Sequence, residues 1–267
     1  MTDIAVHGAG GRMGRAIIEV VLEEKQRLAG AVEHAGHASI GTDAGLLVGR
    51  ADPLGVPVTD RLHEVLKAAE VVIDFSLPEG TAALLRACKA DGTPAVIGTT
   101  GLDDDAKAAL RELAEVVPVV YAPNFSVGVN VFWALARRAV ELAGEDFDLE
   151  IVEMHHHHKV DAPSGTAARL AEVVAEARGL DLARDAVYGR SGRPGARKSG
   201  EIGIHALRGG DVVGDHTLIL AGPGERIELT HRAHDRSIFA RGAVRAARWV
   251  TGRDPGLYGM ADVLGIG

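Results

Sequence analysis

Apolar positions along the chain fall into two regimes. From the start to about residue 126, short apolar runs at 4–6, 28–32, 71–75, 95–98 and 118–122 alternate with helical-looking stretches such as 16–22 and 81–89. Strands this short and apolar are buried on both faces, and strands that alternate with helices pair in parallel. The first regime therefore predicts a parallel sheet covered by helices on both sides.

Beyond about residue 148 the period changes. Residues 201–208 alternate apolar and polar positions, Gly209-Gly210 supplies a turn, 211–220 runs on as a strand, and 221–224 turns again into 225–231. Strands joined in succession by short glycine turns predict hairpins and hence a mainly antiparallel sheet. The last clear helix is expected over 237–250.

Composition narrows the class. Of 267 residues, 46% are hydrophobic and 25% charged, which is ordinary for a globular protein. Aromatics are only 4%, so the core must rest on Ala, Val, Leu and Ile. A net charge of −8 argues against nucleic-acid binding, which needs a basic surface. No basic, apolar leader opens the chain, and no apolar run reaches the ~18–20 residues of a membrane span, so a cytoplasmic setting is expected. Cys88 is the single cysteine; it reads as a small buried thiol on a helix rather than a nucleophile.

Two segments carry chemistry. Gly8-Ala-Gly-Gly-Arg-Met-Gly14 follows the first strand and opens a helix. Glycines there let the backbone approach a pyrophosphate, and the helix N-terminus offers free N–H groups. The spacing departs from the strict dinucleotide fingerprint, and a plain strand–helix turn is the alternative. Glu33, at the end of the second strand, stands about where an acidic residue would bind the adenosine ribose hydroxyls.

The second segment is Glu153-Met-His-His-His-His-Lys-Val-Asp-Ala-Pro-Ser-Gly-Thr166. A strand over 148–154 leads into it. If extension continued, His155 and His157 would face one way and His156 and His158 the other, so at most two imidazoles converge and no metal is expected. Histidine titrates near neutrality, and Lys159 adds a charge and protons. Ser164 is placed to cap the helix that follows, leaving the N–H groups of Gly165 and Thr166 for a carboxylate; a polar capped loop is the alternative. The glycine-rich basic stretch 189–200 reads as a mobile surface loop or as a lid over an acidic ligand.

These motifs, with Gly98-Thr-Thr-Gly101, Ala122-Pro-Asn-Phe-Ser-Val-Gly-Val-Asn130, Arg208-Gly-Gly-Asp-Val-Val-Gly-Asp-His216 and Gly256-Leu-Tyr-Gly-Met-Ala-Asp-Val-Leu264, resemble the 4-hydroxy-tetrahydrodipicolinate reductase (dihydrodipicolinate reductase) family nearly end to end. The resemblance implies NAD(P)H-dependent reduction of a cyclic dicarboxylate in lysine and diaminopimelate biosynthesis. It implies cofactor contacts from Gly8, Ala9, Gly10, Gly11, Arg12, Met13, Glu33, His34, Gly98, Thr99, Thr100, Ala122, Pro123, Asn124 and Phe125. His155 matches the family's proton donor/acceptor and Lys159 its proton donor. His156, Gly165 and Thr166 match the positions that hold the substrate. A homotetramer joined through its sheets is implied too.

With the change of pattern, this divides the chain into a Rossmann-like α/β dinucleotide-binding domain (1–126 and 236–267) and an α+β substrate-binding and tetramerisation domain (127–235). His34 stands where some relatives carry an arginine suited to the NADPH 2′-phosphate. Neutral histidine is a weaker partner and Glu33 favours free ribose hydroxyls, so NADH is expected to be preferred and NADPH tolerated, with Arg12 as a compensating cation. Three other functions compete with this one. An aldehyde dehydrogenase of the aspartate-semialdehyde type needs a catalytic cysteine, and Cys88 has no histidine partner in its vicinity. A redox-sensing DNA binder is opposed by the acidic charge. A structural NAD-binding subunit would not need the His/Lys segment.

Overall fold

The computed structural model describes residues 1–266 and separates the chain into two compact units, Met1–Val127 with the segment that begins at Ser237, and Gly128–Arg236. Gly267, the end of the span expected for the first domain, lies outside the described residues.

The first unit begins with β1 (Asp3–His7), α1 (Arg12–Glu23), β2 (Arg27–Val32), α2 (Ala44–Leu47), β3 (Val58–Thr59) and α3 (Leu62–Ala68). It continues through β4 (Val71–Asp74), α4 (Pro78–Asp91), β5 (Ala95–Ile97), α5 (Asp104–Ala114) and β6 (Pro118–Tyr121). After the second unit, α9 (Ser237–Val250), β12 (Gly256–Tyr258) and α10 (Met260–Leu264) complete it. The seven strands are all parallel, in the order β12-β6-β5-β4-β1-β2-β3. The period-two alternation of a strand divides its side chains between two cores. Ile4, Val6, Val71, Ile73, Val96 and Val120 face one core with α1 and α9. Ala5, Val72, Ala95, Ile97 and Val119 face the other with α3, α4 and α5. Both faces are covered, which is why these strands read as unbroken apolar runs.

Helix α9 packs against α1 and lies across β4, β5 and β6. Its buried face is nearly all small: Ala240, Gly242, Ala243, Val244, Ala246 and Ala247. Small residues bring the helix backbone close to the chain beneath it. Cys88 is fully buried on α4, and burial pushes its thiol up.

The second unit contains α6 (Val127–Ala143, all but its first residue), β7 (Asp148–His155), α7 (Gly165–Arg178), α8 (Leu182–Asp185), β8 (Ala186–Tyr188), β9 (Ile202–Arg208), β10 (Gly214–Gly222) and β11 (Glu225–Ala233). Its sheet has the order β11-β10-β7-β9-β8. Strands β10 and β11 form the expected hairpin. The hairpin expected between β9 and β10 is not formed: β7 lies between them, antiparallel to β10 and parallel to β9. The sheet is therefore mixed. Leu149 and Ile151 of β7, Ile202 and Ile204 of β9 and Leu218 and Leu220 of β10 are all buried in one core, so all three strands are held together by that core, and the glycine turn, which sets only a local reversal, does not make β9 and β10 adjacent. Leu149, Ile151, Ile202, Ile204, Leu218 and Leu220 pack under α6 and α7.

The opposite sheet face carries Glu150 on β7. Arg190 reaches it with two hydrogen bonds (2.9 and 3.0 Å), Arg197 with one of 3.0 Å, and His205 at 2.7 Å. Burial opposes the charge of Glu150, but these partners outweigh it and bring its pKa down to about 2. Both arginines belong to the 189–200 loop, so the loop is tied to the sheet's own carboxylates rather than holding those cations for a ligand.

Gly242 gives a direct test of the α9 packing. A Cβ there would stand 1.7 Å from the backbone oxygen of Phe125. Glycine to alanine inside a helix ordinarily stabilises by about 1 kcal/mol. Here Gly242→Ala should instead destabilise by about 1–3 kcal/mol through overpacking, seen as a lower urea midpoint.

Candidate active site

In a parallel sheet, the loops that follow the strands all emerge at one edge, and ligands bind outside it where the strand order reverses. Here that point lies between β1 and β4. Every cofactor residue expected from the sequence sits in such a loop or, for Arg12 and Met13, in the first turn of α1 that follows it. Gly8 to Met13 follow β1, Glu33 and His34 follow β2, Gly98 to Thr100 follow β5, and Ala122 to Phe125 follow β6.

The turn after β1 is built for close approach. Gly8 has a φ of 75°, a left-handed conformation glycine adopts without penalty. Its N–H and that of Ala9 both donate to Val32 O at 3.0 Å. A Cβ on Gly14 would meet Gly8 O at 2.1 Å, so α1 can start this close to the strand only with glycine there. Gly11 caps α1 without any side-chain hydrogen bond. The first-turn N–H groups of α1 thus have no side-chain acceptor, the condition under which a helix N-terminus takes an anion. Glu33 accepts from Gly10 N–H at 2.9 Å and from His34 N–H at 3.1 Å, which orients its carboxylate beside the cradle. These features fit a dinucleotide.

Not every expected contact is exposed. Thr100 and Pro123 are exposed, whereas Thr99, Ala122 and Phe125 are buried. Phe125 packs on Phe75 with ring centroids 5.5 Å apart, and Asn124 Oδ1 accepts from Ser126 N–H at 2.9 Å. Thr99 Oγ1 donates to Asp74 at 2.9 Å. Asp74, fully buried at the end of β4, also accepts from Thr81 Oγ1 at 2.5 Å and Ser76 N–H at 3.1 Å, and pairs with His7 Nδ1 at 2.7 Å. Burial opposes its charge, yet these partners hold its pKa below the ordinary value. This network was missed from the sequence. Its signal is an aspartate closing the otherwise apolar strand Val71-Val-Ile-Asp74.

In the second unit, extension ends at His155. His156 N–H donates to Val212 O at 2.7 Å and His157 N–H to Gly210 O at 3.2 Å, so the strand alternation does not continue through His158. Strand β7 buries every second side chain: Leu149, Ile151, Glu153 and His155. The first two build the core; the last two form the site. Glu153 is fully buried. Its Oε2 takes His155 Nδ1–H at 2.6 Å and Arg208 at 2.9 Å, and its Oε1 takes Arg208 at 3.0 Å and Ser164 N–H at 3.0 Å. Desolvation opposes the charge, but Arg208, His155 and the Ser164 amide together keep Glu153 below the usual carboxylate range. An ionised acceptor at Nδ1 fixes the tautomer, so Nε2 of His155 is the atom left for chemistry. A Cβ on Gly214 would lie 2.9 Å from that nitrogen; glycine keeps the space beside it open.

Lys159 Nζ donates to both oxygens of Asp161 at 2.8 Å, and Asp161 O accepts from Arg208 at 2.6 Å. Lys159 and His155 are thereby joined through Asp161, Arg208 and Glu153 rather than by direct contact. Ser164 caps α7 as expected, accepting Ala167 N–H at 3.2 Å. Gly165 opens the helix into free space: a Cβ built on it meets nothing within 4 Å. His156 Nδ1 is buried without a hydrogen-bond partner, and burial, then Arg236, lowers its pKa. His216 was also missed. It lies 3.0 Å from Ser164 Oγ, edge-on to His155 with centroids 5.2 Å apart, and burial followed by His155 lowers its pKa to about 4. Glu153, Arg208 and His216 stood inside the motifs quoted for the resemblance but received no role. The alternation Leu149, Ile151, Glu153, His155 was the signal for Glu153.

The all-parallel sheet with a glycine turn between β1 and α1 places the first unit in the Rossmann-type class. A solved amine dehydrogenase from Mycobacterium smegmatis shares this fold at a TM-score of 0.60 and 15% identity, covering 96% of this chain and 94% of its own. Residues 2–125 match the family described as dihydrodipicolinate reductase, N-terminus, and residues 128–264 that described as dihydrodipicolinate reductase, C-terminus. The 4-hydroxy-tetrahydrodipicolinate reductase of Thiobacillus denitrificans is 53% identical over 98% of both chains. Dipicolinate-bound dihydrodipicolinate reductase from Paenisporosarcina sp. TG-14 gives a TM-score of 0.78 at 26% identity, with 98% of each chain covered. The chain belongs to the dihydrodipicolinate reductase family.

His216 makes a prediction about pH. Its folded pKa of about 4 lies below the ordinary 6.5, so the unfolded chain binds more protons between these values. The contribution to stability is complete above 6.5 and is lost as pH falls toward 4, by about 3 kcal/mol in all. Urea unfolding of His216→Gln should show a shallower loss between pH 7 and pH 4.5 than the parent; equal slopes would remove His216 from this account.

Proposed function

We propose that this protein reduces 4-hydroxy-tetrahydrodipicolinate, or the dihydrodipicolinate formed from it by dehydration, to tetrahydrodipicolinate, using NADH in preference to NADPH. The observation that carries this reading is the buried Glu153–His155 pair, with Nε2 kept open beside the Ser164-capped start of α7. The dinucleotide, when bound, supplies a hydride. Gly8 to Met13 would hold its pyrophosphate, Glu33 its adenosine ribose, and the loops at Gly98–Thr100 and Ala122–Phe125 the remainder.

Reduction of the ring leaves negative charge that must be neutralised by a proton. His155 Nε2 and Lys159 are the donors, because each is held by a carboxylate that stays ionised, Glu153 and Asp161. His156, with its unpartnered Nδ1, and the N–H groups of Gly165 and Thr166 at the start of α7 hold the substrate carboxylates. That a relative binds dipicolinate, a planar dicarboxylate, supports this use of the helix start. A homotetramer is supported by the sheet face opposite α6 and α7, where Val152, Met154, Leu207 and Ile219 are not fully covered. No helix among the described residues is long and apolar enough to cross a membrane, which is compatible with a cytoplasmic enzyme.

Steady-state kinetics with freshly prepared substrate test the chemistry. His155→Ala and Lys159→Ala should each lower kcat by about 10²–10⁴-fold while the Kd for NADH stays nearly unchanged. A change of only a few-fold in kcat would withdraw both assignments. Cofactor choice has its own test. Glu33 repels a 2′-phosphate and neutral His34 gives it little in return, so His34→Arg should lower the KM for NADPH. An unchanged NADH/NADPH ratio would displace both residues from the adenosine end.

A further inference from the structure

On the loop that follows β2, Glu33, His34 and His37 each offer a donor atom, and the three atoms lie within 4.8 Å of one another. The backbone sets this shape. Glu33 N–H donates to Thr59 O at 3.0 Å, and His37 N–H donates to His34 O at 3.1 Å, closing a turn through Gly36 at a φ of 83°. A left-handed third position is what this kind of turn requires, and glycine supplies it. The turn brings the two imidazoles edge to face, 5.2 Å between centroids.

Glu33 and His34 are already chemically suited, and His37 is so after a change of tautomer. His34 Nδ1 lies 3.0 Å from Ala35 O. A carbonyl only accepts, so Nδ1 carries the hydrogen and Nε2 presents its lone pair. A ring N–H fixed on a backbone carbonyl is the usual support of a metal-ligating histidine. Ser39 N–H donates to His37 Nδ1 at 3.1 Å, with Ser39 Oγ 2.7 Å from the same nitrogen, so in the metal-free ring Nδ1 accepts and Nε2 carries the hydrogen. Coordination through Nε2 moves that hydrogen to Nδ1, turned toward Ser39 Oγ, and gives up the amide bond. Each Glu33 oxygen accepts one amide N–H and keeps a second lone pair.

The geometry points to a site for a divalent transition metal of the Zn²⁺ class at Glu33, His34 and His37. Two imidazoles and a carboxylate are a zinc donor set with the fourth position left to water. A single carboxylate with two nitrogens does not serve Ca²⁺ or Mg²⁺, which take oxygen ligands. Bonds of about 2.0–2.1 Å bring tetrahedral ligand atoms to roughly 3.4 Å of one another. Closing that gap asks about an ångström of movement, which exposed His34 can make by rotation. Glu33 is also the residue proposed above to hold the adenosine ribose. Metal and dinucleotide therefore compete, a consequence that rests on that proposal although the metal site does not.

The experiment titrates the intact protein with Co²⁺, read by its visible absorption, and with Zn²⁺, read by calorimetry. The run His155–His158 can also take up metal, so stoichiometry is compared between proteins. His37→Ala and His34→Ala should each lose one equivalent relative to the parent while retaining its circular dichroism; exposed His34 covers the case in which His37→Ala fails to fold. Saturating NADH should displace the same equivalent. Equal stoichiometry and affinity in the parent and in a folded variant would overturn the site. An equivalent lost in the variants but not displaced by NADH upholds the site and instead removes Glu33 from the ribose.

Discussion

The second unit is organised around one buried carboxylate. Glu153 receives hydrogen bonds from its own strand (His155), from the neighbouring strand β9 (Arg208) and from the residue that caps α7 (Ser164). A charge taken out of water is costly unless every lone pair is used, and removing one partner from such a group typically costs about 3–5 kcal/mol. Here the lone pairs are used on three separate segments. That requirement fixes where the His155 ring points, where the 156–163 loop returns, and where α7 begins. The position of the site is thus a by-product of satisfying Glu153.

The first unit meets the same constraint with a different set. Asp74 ends a buried strand at the switch point of the parallel sheet and draws in His7, Ser76, Thr81 and Thr99. Two of these, His7 and Thr99, border the loops expected to hold the dinucleotide. A fully satisfied polar network is rigid because each bond orients the next. The cradle at Gly8 is therefore supported from below by side chains that need not touch a ligand at all.

Much of this was legible in the residues. Apolar runs separated by helices specified the parallel sheet because both of its faces are buried, and the glycines of 8–14 announced the tight β1–α1 turn. Ser164 was legible because a capping hydroxyl acts through its own backbone neighbourhood. The insertion of β7 between β9 and β10 was not legible. Strand adjacency is set by contacts across the whole sheet, and Gly209-Gly210 reports only a local reversal. The roles of Glu153, Arg208 and His216 were hidden for a related reason. Arg208 and His216 lie 55 and 52 positions from the partners they meet, Glu153 and Ser164. For the basic 189–200 loop, composition left a mobile loop and a lid both open; the pairing of Arg190 and Arg197 with Glu150 on the sheet is a long-range contact that composition does not report.

The two imidazoles at the centre of the second unit are treated in opposite ways, and the contrast assigns their work. His216 has a hydroxyl at its Nε2, no partner at Nδ1, and a second ring 5.2 Å away; burial and that neighbour both oppose its protonation. His155 differs in having the ionised Glu153 at Nδ1. His216 holds Ser164, and through it the start of α7, without competing for the proton. His155 does not hold the helix: its Nδ1 is taken by Glu153, and its Nε2 faces the space that Gly214 leaves open. Exchanging those surroundings would set a ring paired to a carboxylate against the helix cap and leave the ring beside Gly214 without its orienting partner.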